Sequence, residues 1–451
     1  MRPTIHIGRG SVAVENPPQA LLENLRRFRR GNDGGSYEPL YIKAEEGNMI
    51  VTAPGFARRI IDMSRDSLIK DERIPMPDPI GSRDYGFWDS VISDAVMGGG
   101  GVVAIPEILG AEEVCASIIR AFPHEALVDR GTPLCVIAEK DLESARRTVK
   151  LLRAMLPDRD VCCPSLGGLG NDGDDVIITI YNSLDDIPLR MAGIFIGLDL
   201  HGSDFIKRAE KISMLRNAAR WGIYETSFGG RPDELDMDVE AMFGPVISSV
   251  TYDDAVKAGI AAPITVCWLP CPRPKAYIGG NPKVLAAFAM QENEKFVEMV
   301  SNIILNTSGE LGCICRVETL AAAGRIGFRT QVTQITRKVP IKNRQRDIGA
   351  IETGVLRKAI IAEDVFPKKT SHAVMAVVTC GGAEAARSHI PWIQLKNKRD
   401  RAYIIDFTHD WDLHNGRKGH LALNDEARKK CYKDMGFNQI SLEHFSQLPF
   451  L

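Results

Sequence analysis

The sequence predicts an α/β protein: two lobes with mostly parallel sheets, preceded by a small N-terminal α+β domain. Three observations carry this. Apolar strand-like runs alternate with helical stretches over residues 81–270, the pattern of a parallel sheet covered by helices on both faces. The alternation resumes over residues 286–410. Between the two series, Pro270, Pro272, Pro274 and Pro282 with Gly279 and Gly280 mark a linker over 271–285. A chain of 451 residues is also too long for one ordinary domain.

Residues 1–80 read as an accessory domain. A helix is expected over 20–30, with Leu21, Leu25 and Phe28 inward and Arg26, Arg27, Arg29 and Arg30 outward. That basic cluster is either a solvated face or a phosphate contact. Residues 40–44 and 48–53 read as a hairpin, followed by Pro54-Gly55-Phe56 and a short helix. A proline-rich stretch at 75–79 marks the boundary. In the first lobe, strands are expected at 102–105, 134–138, 176–180, 193–197 and 220–224, and helices at 141–154 and 205–219. In the second, helices fall at 286–305, 318–324 and 341–353, and strands at 311–317, 331–336, 358–362, 373–379 and 402–406. Residues 411–451 form a C-terminal extension with a polar helix at 424–434. No internal repeat of about 20 to 50 residues is visible; the coarse result is two α/β units in series.

Composition narrows the function classes. Charged residues make up 25% and hydrophobic residues 44%, ordinary for a soluble globular protein. The net charge of −2 excludes a global basic field, so any nucleic-acid contact must come from a local patch. No apolar run is long enough for a membrane span, and the N-terminus lacks the apolar core of a secretory signal. The ten cysteines include no CxxC pair and no Cys/His quartet at zinc spacing. Cys135, Cys313 and Cys315 lie in strand-like runs, where a thiol acts as a small hydrophobe. The expectation is a reduced, cytoplasmic protein with no membrane contact, no metal and no cofactor.

The chemistry-bearing stretch is GGGGVVAIPEILGAEEVCASIIRAF, residues 98–122. It reads as a strand, a tight loop with Pro106 and Gly110, and a helix with Val114, Ile118 and Phe122 on one face. Strand, glycine-containing loop and helix is the layout of a phosphate-binding loop. Such a loop needs a lysine and then a Ser or Thr at the helix start, for phosphate and Mg2+. Those places hold Ala111 and Glu112. A carboxylate there repels a triphosphate.

The order of segments from about Arg83 to Asp410 resembles a superfamily 2 helicase of the DExH type, particularly the single-chain forms of bacteriophages. RDYG at 83–86 resembles the adenine-reading segment, with Gly86 where a glutamine belongs. Residues 105–113 resemble "PTGSGKTE" with Pro106, Gly110 and Glu113 kept. VIITIYNSL at 176–184 resembles the run before motif II. IFIGLDLH at 194–201 stands where "IIVDEAH" is expected, so Leu198 replaces the Mg2+ aspartate, Asp199 the catalytic glutamate, and His201 is kept. WGIYET at 221–226 stands at motif III, and GGRPDELDMDVEAMFGPVI at 229–247 resembles the family's run into "LFGPVI". In the second lobe, residues 310–320 resemble motif IV, NRQR at 343–346 the "xxxR" helix start, and 364–367 motif V. Gln394 stands for the motif VI glutamine, while the motif VI arginines are not recognisable.

The resemblance implies two RecA-like lobes facing each other across a cleft. It also implies a degenerate nucleotide site, made of Gly86, Pro106, Gly110, Ala111, Glu112, Leu198, Asp199 and His201. Six elements that should touch nucleotide or Mg2+ are changed or absent. Phosphoryl transfer rests on positioned cations with little to compensate for their loss. The expected protein is a catalytically inactive helicase-like chain, a nucleic-acid-binding or scaffold component of phage replication or the virion. The competing reading is a divergent, active ATP-dependent DNA or RNA helicase or translocase. The family's backbone-holding loops map onto Lys140, Ser183, Arg316, Lys368 and Lys369. Expected partners are DNA or RNA, an active helicase, or a replication or virion protein, in a host cytoplasm or a virion. A hydrolase using Asp172, Asp174 and Asp175, or Asp406, His409 and Asp410, is the third reading; aspartates in loops are mostly caps and turns.

Overall fold

A computed structural model gives the fold. It describes the chain except residues 1, 9–10, 32–33, 45–47, 65, 72–75, 77–85, 107–109, 168–174, 199, 201–207, 209–210, 213–214, 216–217, 225–234, 276–292, 309–311, 318, 363–375, 379–400, 415 and 451. The chain divides into two compact units, Met1–Val250 and Thr251–Leu451.

The first unit opens with seven strands. β1 (Thr4–Ile7), β2 (Val12–Glu15), β5 (Tyr41–Lys43), β6 (Met49–Thr52) and β7 (Leu68–Asp71) form one sheet in the order β5-β6-β2-β1-β7. β7 runs parallel to β1; the other pairs are antiparallel, including the predicted β5–β6 hairpin. Alternate residues Ile5, Ile7, Val12 and Val14 point into a core completed by Leu21, Leu25, Phe56 and Ile60. The helix expected over 20–30 stops early. It spans Gln19–Asn24, and Arg26–Gly31 forms β3, paired antiparallel with β4 (Gly34–Pro39). The physical reason lies in the arginines. On a helix, Arg26, Arg29 and Arg30 would be neighbours at i, i+3 and i+4 and would repel. An extended chain spreads them out.

The N-terminal sheet is not a detached accessory. Helix Leu235–Phe243 serves two cores at once. Val239, Met242 and Phe243 pack under the large sheet, while Met237 and Ala241 pack on the N-terminal core. Gly55 lies so close to this helix that a Cβ would run into the carbonyl oxygens of Glu240 and Ala241. Arg59 grips the Glu240 carboxylate with two donors, Nε at 2.7 Å from Oε1 and Nη2 on Oε2.

Seven parallel strands make the large sheet of this unit. They are β8 (Gly101–Ala104), β9 (Leu134–Glu139), β10 (Val161–Cys162), β11 (Val176–Ile180), β12 (Ala192–Gly197), β13 (Ala219–Tyr224) and β14 (Val246–Ser249). Their order is β10-β11-β9-β12-β13-β8-β14. The five apolar runs read from sequence are all strands here. β10 and β14 escape a pattern search because one has two residues and the other, VISS, is not uniformly apolar. The predicted 205–219 helix falls mostly outside the described residues.

The second unit repeats the plan. β15 (Ile264–Pro270), β16 (Cys313–Val317), β17 (Thr333–Ile335), β18 (Lys358–Ala362), β19 (Ala376–Val378), β20 (Ala402–Thr408) and β23 (Asn438–Ser441) are all parallel, in the order β17-β18-β16-β19-β20-β15-β23. A small antiparallel pair, β21 (Leu413–His414) and β22 (Arg417–Lys418), lies between β20 and β23. Counted along the chain, both large sheets have the order third, fourth, second, fifth, sixth, first, seventh. The two strand–helix series read from the sequence therefore share one topology, strand for strand.

This topology moves two boundaries. The first unit was expected to run to residue 270, but β15 sits inside the second sheet, between β20 and β23. The break follows Val250. Residues 411–451 were expected to be an extension, yet β23 and helix His420–Asp434 complete the second unit. A strand's partners are set by packing between distant segments, which no local pattern reports.

Candidate functional site

The carboxyl edge of the first sheet gathers most of the residues singled out in the sequence. In register, Ala104 of β8 faces Tyr224 of β13, Gly222 faces Gly197 of β12, Gly197 faces Ala138 of β9, and Glu139 faces Ile180 of β11. Loops leaving these strands therefore share one rim, where parallel α/β sheets bind ligands.

After β8 the chain passes through buried Ile105 and half-buried Pro106 to Gly110. Gly110 has φ +24° and precedes helix Ala111–Ala121 as its N-cap. The helix N-terminus carries two carboxylates in its first turn, Glu112 and Glu113, favourable with the helix dipole. Both are engaged. Glu112, 4% exposed, pairs with Arg147 at 3.6 Å (Nε to Oε1). Glu113 accepts from the indole Nε1 of buried Trp88 at 3.1 Å. Trp88 ends the turn Gly86–Trp88, so Gly86, at φ +60°, is tied to the corner through this bond. Ala111, where a lysine would stand, is 1% exposed.

Arg147 arrives from helix Leu142–Met155, whose start is set by Asp141 accepting from Ser144 N–H at 2.8 Å. Its Nη1 is enclosed without a hydrogen-bond partner. Next to it on the helix, Thr148 donates to buried Glu139 at 2.5 Å.

Leu198 follows β12 and is 2% exposed. Its backbone N–H donates to Ala138 O at 3.0 Å, and its carbonyl accepts from the buried Tyr181 hydroxyl at 2.7 Å. An apolar side chain is therefore packed inside, where a metal-holding carboxylate would have to face solvent. Asp199 and His201 lie outside the described residues.

Lys140 follows β9, and Ser183 sits in the turn Tyr181–Asp186 after β11. Both are half-buried and lie on the same rim, since β9 and β11 are neighbours. Arg316 lies within β16 of the second sheet and is 3% exposed, not on a surface loop. Lys368 and Lys369 lie outside the described residues.

Of the residues weighed for a hydrolase, Asp175, Asp406 and His409 are held by the protein's own side chains, while Asp410 is exposed. Asp406 at the end of β20 is fully buried and accepts from Arg428 Nε at 2.9 Å and Tyr432 at 3.0 Å. Arg428 also donates to Asp425 at 2.8 Å and to the Phe407 carbonyl at 3.2 Å. Buried His409 places Nδ1 2.9 Å from Asp425. Burial opposes the charge on Arg428, but Asp406 and Asp425 outweigh it and hold the guanidinium above its ordinary pKa. Asp175 is held by Arg159 at 3.0 Å. Asp172 and Asp174 lie outside the described residues. Sequence reasoning missed Arg147, Trp88 and Arg428. Each acts through a partner on another element, and nothing in its local spacing announces that.

Among the described residues, no helix is long and apolar enough to cross a membrane. No protein-family model matches the chain, and no curated protein matches it significantly. Solved structures do. A fragment of a putative HsdR subunit of a type I restriction enzyme from Vibrio vulnificus YJ016 superposes with TM-score 0.55 at 12% identity, covering 79% of this chain and 67% of that one. Dbp5 of S. cerevisiae, in a complex with Gle1, gives TM-score 0.51 at 12% identity, covering 77% and 85%. The helicase MrfA, bound to DNA and AMPPNP, gives TM-score 0.51 at 9% identity; the match covers 82% of this chain and 55% of that longer one. At such identities the likeness shows the fold alone: the chain is a mixed α/β protein with mostly parallel sheets, built like the RecA-like lobes of helicases.

Proposed function

We propose that this protein is a catalytically inactive helicase-like protein that binds nucleic acid, as a component of phage replication or of the virion. One observation carries the reading: the phosphate-binding corner is occupied by the protein's own ion pair. Glu112 takes the anion-favouring position at the helix N-terminus, and Arg147 neutralises it. A triphosphate would have to displace a buried carboxylate and would find Ala111 instead of a lysine. Leu198, packed inward, supports the same reading for the metal. Lys140 and Ser183 on the rim, with Lys368 and Lys369, are the proposed backbone contacts. MrfA was solved with DNA bound, and the shared fold supports nucleic acid as the ligand class here. The test is ATP turnover by purified protein, with and without DNA or RNA, against a mock purification. Turnover at background and salt-dependent nucleic-acid binding are expected. Turnover above the mock would establish the divergent active helicase instead.

A further inference from the structure

The basic cluster at the N-terminus has a shape the sequence did not predict. Arg26, Arg27, Arg29 and Arg30 all belong to β3, which pairs with β4 residue for residue from Arg26↔Pro39 to Gly31↔Gly34. Among the described residues the two strands pair only with each other, as a two-stranded sheet separate from the five-stranded one. The base of this ribbon is fixed. Leu25 is fully buried, Leu40 N–H donates to Leu25 O at 2.8 Å, and Thr52 Oγ1 donates to Leu40 O at 2.6 Å. Both strands are thus rooted in the N-terminal core, and a six-residue strand spans about 20 Å.

The ribbon carries four arginines and one carboxylate, Glu38. Arg27 stands opposite Glu38, but Arg26, Arg29 and Arg30 stand opposite Pro39, Ser36 and Gly35. A lone two-stranded hairpin is marginal in water, and an anionic partner lying against its arginines would stabilise it. The whole chain has net charge −2, so this concentration of cations is local and not a consequence of a basic composition.

We propose that the β3–β4 ribbon is an arm that binds duplex nucleic acid, with the arginines on the phosphates that flank a groove. A two-stranded ribbon fits a major groove about 12 Å wide. Four arginines against one opposed aromatic pair, Phe28↔Tyr37, is the composition of a phosphate-contacting surface more than of a base-stacking one. The proposal rests on the nucleic-acid-binding reading above and adds the duplex and the residues that hold it.

The test uses the full-length protein and fluorescence anisotropy, with a labelled short duplex and the matching single strand, across a salt series. Arg29→Gln/Arg30→Gln removes two of the four positive charges, and Arg29→Lys/Arg30→Lys keeps them. Circular dichroism checks that each variant is folded. Loss of each phosphate contact should lower the slope of log affinity against log salt by about 0.9 for the duplex. The Gln variant should therefore lose duplex affinity and about 1.8 of slope by the same relation, while single-strand affinity stays unchanged and the Lys variant stays near wild type. Wild-type binding to the duplex with no change in the Gln variant would overturn the ribbon but leave the nucleic-acid reading intact. Wild-type binding to single strands alone would do the same. Binding to neither would overturn both.

Discussion

Restoring the missing phosphate-loop groups should damage the fold before it restores any activity. Consider Ala111→Lys with Glu112→Thr. Ala111 is 1% exposed, so a lysine must be forced into packed space, at about 1–3 kcal/mol. Removing Glu112 takes away the partner of Arg147. That pair is 3.6 Å apart and Arg147 is 30% exposed, so solvent screening limits the loss to about 1 kcal/mol or less. Losing a carboxylate from the first turn of the helix costs about 0.3–1 kcal/mol more. The new lysine then faces Arg147 and the positive helix end, with only Glu113, already engaged by Trp88, left as a first-turn carboxylate. The double variant should be about 3 kcal/mol less stable, on the sum of these ranges. Urea unfolding read by tryptophan fluorescence measures this, with Trp88 and Trp221 reporting on the first unit. ATP turnover should stay at background, because Leu198 remains buried and groups that act as a unit are strongly non-additive. A double variant as stable as the wild type, or one that hydrolyses ATP, would refute the reasoning.

Two further outcomes follow from the buried polar groups. Arg428→Met should destabilise the second unit by about 3–5 kcal/mol, since it leaves Asp406 and Asp425 buried without their cation; an unchanged urea midpoint would contradict this. Burial pushes the thiols of Cys135, Cys267 and Cys313 up to about 12, whereas an unfolded thiol titrates near 8.5. The folded pKa is the higher one, so these thiols support stability below about pH 8.5 and lose that contribution as pH rises toward 12. A variant with all three changed to alanine should show a shallower fall in urea midpoint between about pH 8 and 10 than the wild type; equal slopes would count against it.

The sequence by itself determined the class of the fold and most of its strands. Runs such as those of β9, β11 and β12 are mostly apolar because both faces of a parallel sheet are covered, and this is a local signal. β8 and the helix Ala111–Ala121 were legible for the same reason, since strand and helix lie close along the chain. Where the signal is not local, the structure decided. Arg26–Gly31 became a ribbon because its arginines could not share a helix face and a partner strand was at hand. β15 joined the second sheet through β20 and β23, both far along the chain, so its place could not be read from its own residues. Arg316, a plausible surface contact by order of motifs, went inside because β16 is a central strand. The state of the corner itself was decided by Arg147 and Trp88, which reach Glu112 and Glu113 from other elements. Sequence shows which chemical groups a loop lacks; only packing shows which distant side chains have filled the space they left.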